Sequence, residues 1–69
     1  MEQEVIEVLL EQARRYGSMS KRAARAAKRA RGPEREALEE KAKRLLQISQ
    51  AYFERAEALK RKHAGGRQV

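Results

Sequence analysis

The chain has 69 residues, no cysteine and a formal net charge of +7, from 17 Lys and Arg against 10 acidic residues. A chain of this length holds at most one domain with a small core, so association with a second copy is an expected source of added stability. The missing cysteines exclude disulfides, thiolate metal sites and thiol redox chemistry together, and the surplus of cations points towards polyanions.

The opening stretch MEQEVIEVLLEQ carries four Glu and no base. It lacks the long apolar core of a signal peptide or a transmembrane span, so a cytoplasmic protein without membrane association is expected. Ile6, Leu9, Ala13, Tyr16, Ser20, Ala23, Ala27 and Ala30 then follow alternating steps of three and four, the spacing that aligns side chains on one helical face. This predicts helix 1 over about residues 3–31. Gly17-Ser18-Met19-Ser20 is its weak point, because Gly costs a helix about 1 kcal/mol relative to Ala and Ser can cap a new helix. The apolar period nevertheless passes through without a phase shift, which favours one helix, with a break near Gly17 as the alternative.

Gly32-Pro33 is the firm punctuation, since Gly can close one helix and Pro can open the next at its first turn. Beyond it Leu38, Ala42, Leu45, Ser49, Tyr52, Ala56, Leu59 and His63 repeat the period, predicting helix 2 over about residues 34–63. The remaining AGGRQV, residues 64–69, has no periodicity and is expected to be a flexible tail. Residues 1–63 thus read as one all-α domain, an antiparallel helical hairpin.

Ile6, Ala13, Ser20 and Ala27 share one heptad position of the seam with Ala42, Ser49, Ala56 and His63, so the helices can approach closely. Closing the hairpin sets Ala23, Ala27 and Ala30 opposite Leu38 and Leu45, and Ile6 and Leu9 opposite Ala56 and Leu59, small against large along the seam. Beside it, Val5, Leu10, Leu46, Ile48 and Phe53 make an apolar row wider than a two-helix contact requires. A second copy would cover this row in a homodimeric four-helix bundle; the alternative is a groove for a partner protein's helix. Leu10, Leu46, Ile48 and Phe53 are the expected interface residues.

Much of the charge follows ordinary helix electrostatics. Glu opens both helices and Lys or Arg closes them, complementing the macrodipoles. Glu11 with Arg15, Glu39 with Lys43, Glu40 with Arg44 and Glu57 with Arg61 are spaced for i,i+4 pairs. Residues 13–32, however, carry eight cations and no acid, while the facing stretch from Pro33 to Leu46 sums to zero and cannot neutralise them. Arg14, Lys21 and Lys28 share one outer helical position, Arg15, Arg22 and Arg29 share its neighbour, and Arg25 lies on the same side. At 1.5 Å rise per residue this is a stripe of roughly 20 Å, suited to tracking phosphates on RNA or DNA.

Tyr16, Tyr52 and Phe53 fall at or beside the seam and are expected in the core, which leaves no exposed aromatic for single-strand stacking. Asn is absent and the Gln residues lie off the basic face, so base-edge reading is unsupported. The expected partner is duplex or structured nucleic acid, held through phosphates and shape. With one His, no Cys and no Asp, and no Gly-rich loop of phosphate-binding spacing, the chain reads as non-enzymatic and without metal or cofactor. His63 is expected as a helix-end residue favoured by the dipole.

Three resemblances accompany these readings. QARRYGSMSKRAARAAKRA can be laid over a helix-turn-helix unit, with Gly17 at the turn, although Ser18, Ala23 and Ala26 replace the bulky aliphatic residues usual after it. AYFERAEALKRK, residues 51–62, looks like the last helix of MIT domains, three-helix modules that bind partner peptides. The dimeric hairpin architecture resembles RNA-binding four-helix bundles of the Rop type, in fold and not in sequence.

Overall fold

The computed structural model describes the backbone of residues 2–67 and the side chains of residues 2–62. Two helices, α1 (Glu2–Arg29) and α2 (Pro33–Arg67), pack along each other in a rod measuring 57 × 16 × 12 Å. α1 is unbroken through Gly17. That leaves no turn there for a helix-turn-helix unit, and the described chain has two helices where MIT domains have three.

The connection explains the reversal. The Ala30 N–H still reaches the carbonyls of Ala26 and Ala27, at 3.1 and 3.2 Å, as α1 fades out. Gly32 then takes φ +63°, a left-handed conformation that costs glycine little. Its carbonyl accepts the N–H groups of Arg35 at 3.1 Å and Glu36 at 3.3 Å. Gly32 therefore caps the start of α2, and Pro33 fills the first helical position, where a missing N–H leaves no bond unmade.

The boundaries differ from the sequence expectation at both ends. α1 stops at Arg29 and α2 runs to Arg67, through Gly65-Gly66. Glycine weakens a helix by about 1 kcal/mol without barring it, and no proline in 64–67 ends the hydrogen-bond ladder. Of the expected tail, residues 64–67 thus belong to α2, while Gln68, Val69 and the His63 side chain lie outside the described residues.

Every described position of the expected seam is buried or half-buried. Ala56 is fully buried and Ile6 is 2% exposed, and among the described residues no larger side chain than Ile6 is so deeply enclosed. At mid-seam Ala23, Ala42 and Leu45 form a cluster, with Tyr16 against it. The Tyr16 and Tyr52 rings stack, with centroids 5.7 Å apart and planes 14° from parallel. Phe53, by contrast, is half exposed and does not join the core.

Alanine at the contact brings the backbones close enough for serine to bridge them. Ser20 Oγ donates to the Ala42 carbonyl at 2.8 Å, and Ser49 Oγ donates to the Ala13 carbonyl at 2.6 Å. The residue numbers of the two pairs add to the same total, the mark of an antiparallel register without slip. The motif Ala-x6-Ser-x6-Ala occurs once on each helix, as Ala13, Ser20, Ala27 and as Ala42, Ser49, Ala56. The two arms are therefore nearly interchangeable at the seam, and no buried side-chain N or O among the described residues is left without a partner.

Candidate nucleic-acid interface

Arg14, Arg15, Lys21, Arg22, Arg25, Lys28 and Arg29 are all exposed. At about 100° per residue, they occupy an arc of roughly 140° on the outward back of α1, opposite its buried stripe. From Arg14 to Arg29 the stripe is about 22 Å long.

None of the seven makes an ion pair among the described residues; the three ion pairs all lie within α2. Glu40 pairs with Arg44 at 3.6 Å, as its spacing suggests. Glu39 turns instead to Arg35 at 3.7 Å, and Glu57 takes Lys60 at 3.5 Å in place of Arg61. Glu11 and Arg15 do not pair. Such exposed pairs are worth well under about 1 kcal/mol each, so side-chain entropy and small rotamer differences decide among competing partners. Among the described residues α2 thus pairs three of its own Glu with three of its own cations, while the seven α1 cations have no carboxylate partner.

The stripe borders hollows on both sides. On one side Arg14 and Lys21 form a wall of an open groove of about 790 Å³ between the helices, opposite Gln50, Phe53 and Glu54, with Leu10, Ala13, Gly17 and Ser49 completing it. Gly17 faces Ser49 across this groove: a Cβ there would stand in ordinary contact, 3.4 Å from Ser49 Oγ. Further towards the turn, Lys28 borders a second hollow of about 430 Å³ with Ala24, Ala27 and Ala42. On the outer side Arg15 and Arg22 flank Met19 in a shallow depression of about 370 Å³.

The expected apolar row does not stay together. Leu10 and Phe53 line the 790 Å³ groove, and Leu46 lies one heptad before Phe53 on the same stripe of α2. Ile48 is five residues from Phe53, about 140° around the helix, and lines a different hollow with Tyr52 and Arg55. Since the groove takes the flank of α1 that carries Leu10 and Gly17, the opposite flank, with Val5 and Met19, lies on the side of Ile48. Leu46, Ile48 and Phe53 are 47%, 40% and 51% exposed, so the row is open to solvent on two faces.

No protein-family model, curated protein or solved structure matches this chain.

Among the described residues no helix is long and apolar enough to cross a membrane. The reading from sequence offered a partner groove with Leu10 and Phe53 among its residues, but missed Gln50 and Glu54 beside Phe53 and the two basic side chains, Arg14 and Lys21, that form the facing wall. The available signal was Gly17 facing the small Ser49, a gap in an otherwise filled flank.

Proposed function

We propose that this hairpin is a non-enzymatic, cytoplasmic binder of structured or duplex nucleic acid, and that the back of α1 makes the phosphate contacts. The observation that carries the reading is the set of seven exposed cations, Arg14 to Arg29, on one arc with no ion-pair partner among the described residues. A rigid helix holds such cations at fixed spacing, and each phosphate neutralised releases condensed counterions. Five of the seven are Arg, whose planar fork favours bidentate contact with phosphate oxygens.

The test is the salt dependence of binding to labelled duplex RNA and duplex DNA. Replacing Lys21, Arg22, Lys28 and Arg29 by Gln removes four contacts and should make the slope of log K against log salt shallower by roughly 3 to 4, with helicity intact. An unchanged slope and affinity in a folded variant would overturn the assignment.

A second reading concerns protein contacts, and the exposure of large apolar side chains favours it. On the flank away from the groove Val5 is 50%, Met19 39% and Ile48 40% exposed, and two such flanks brought together form a four-helix bundle with two-fold symmetry. Sedimentation of the wild type and of Ile48→Lys tests this: a dimer converted to a monomer supports it, and a wild-type monomer overturns it. As an interaction module alone, the protein would instead seat a partner's helix on Leu10, Leu46 and Phe53 and bind no nucleic acid.

A further inference from the structure

We infer that the groove between Leu10 and Phe53 receives a single unstacked nucleobase, so that the preferred ligand is a duplex interrupted by a bulged or looped-out nucleotide. This rests on the phosphate-binding reading of α1. The groove, of about 790 Å³, shares two side chains with the basic stripe, Arg14 and Lys21, and carries Phe53 on the opposite wall. Phe53 is 51% exposed in a rod whose two other aromatic rings are already occupied with each other.

The chemistry of the two walls differs in a way that orients a nucleotide. The α1 wall is cationic and has no ion-pair partner, so the phosphates flanking an extruded base lie on that side. The α2 wall carries the half-exposed ring of Phe53, and an aromatic π-surface accepts any base without sequence preference. Gln50 and Glu54 flank that ring in sequence and line the same groove; they supply a donor and acceptors for the edge of the base. The carboxylate of Glu54 also repels phosphate from the α2 side. Ala13, Gly17 and Ser49 also line the groove, small enough to admit a flat ring, and a Cβ at Gly17 would take up space beside Ser49 Oγ at 3.4 Å. An uninterrupted duplex gives phosphates to the stripe but leaves the groove empty. Extruding a base is cheapest where it is already unpaired.

The experiment compares a fully paired RNA duplex with the same duplex carrying one bulged adenine, at several salt concentrations. It uses the full chain and its Phe53→Ala, Phe53→Leu and Phe53→Tyr variants, with helicity and sedimentation measured in parallel. The wild type and Phe53→Tyr should bind the bulged duplex about ten-fold more tightly than the paired one, the scale of one base–aromatic stack. Phe53→Ala and Phe53→Leu should lose that preference and keep the paired-duplex affinity and salt slope. A fluorescent adenine analogue in the bulge should be quenched by the wild type and by Phe53→Tyr only.

Equal affinity of the wild type for both duplexes, with a steep salt slope, would overturn the groove and leave the basic face standing. Full preference in Phe53→Leu would overturn stacking as its source. A dimer that dissociates on Phe53→Ala would assign the groove to a second copy. Failure to bind either duplex would overturn the phosphate reading itself, and the base site with it.

Discussion

Ser20 reaches across the hairpin to the carbonyl of Ala42, and Ser49 returns the same contact to Ala13, at 2.8 and 2.6 Å. These carbonyls lie inside helices, so each bond is added to the ladder and does not replace a rung. Ser20→Ala should lower stability by about 1 kcal/mol, and Ser49→Ala by a similar amount. The two sites are one heptad apart along each helix, roughly 10 Å, so the double variant should show the sum. Urea unfolding monitored by circular dichroism measures all three; a loss near zero would mean that packing alone sets the separation of the helices.

Ala56 is fully buried at a seam whose spacing is set by the smallest side chains. Ala56→Leu adds volume with nowhere to go and should cost about 1–3 kcal/mol. A neutral or stabilising result in thermal unfolding would show that the open ends of the helices separate freely.

Gly17 is helical, with room for a Cβ in ordinary contact at 3.4 Å from Ser49 Oγ. Gly17→Ala should therefore stabilise the hairpin by about 0.5–1 kcal/mol through helix propensity. The same methyl partly closes the groove, so binding of a bulged duplex should weaken while the midpoint of unfolding rises. The two measurements moving in the same direction would contradict this geometry.

Gly32 presents the opposite case. A Cβ there meets nothing within 4 Å, yet its φ of +63° is unfavourable for any L side chain. Gly32→Ala should destabilise by roughly 1–2 kcal/mol, with no change in the contacts of the folded state. An unaltered unfolding midpoint would require the turn to adopt another conformation.

The seam was legible because its signal repeats: Ile6, Ala13, Ser20 and Ala27 mark one face four times over, and tertiary packing follows that face. The exposed flanks carry no such redundancy. Val5, Leu10, Leu46, Ile48 and Phe53 all sit one step off the seam, but a seam has two sides, and only the pairing of the helices decides which flank of α1 meets which flank of α2. Phe53 follows Tyr52 directly, and a turn of about 100° separates a stacked ring from an exposed one. The partners of Glu39 and Glu57 were not legible either, because energies of a few tenths of a kcal/mol do not fix a rotamer. The basic stripe could be placed on one arc from residue numbers alone; that its members have no ion-pair partner required the side chains of α2.

The repeated Ala-x6-Ser-x6-Ala pattern makes each arm a match for the other and also for itself, since Ser20 facing Ala13, and Ile6 facing Ala27, would satisfy the same rule of small against large. Side-chain identity at the seam therefore does not by itself select the intramolecular partner. The choice falls to the link around Gly32, which holds the second arm at an effective concentration on the order of millimolar, far above that of another molecule in dilute solution. Cutting the chain at that link would turn a unimolecular hairpin into a concentration-dependent competition among arms.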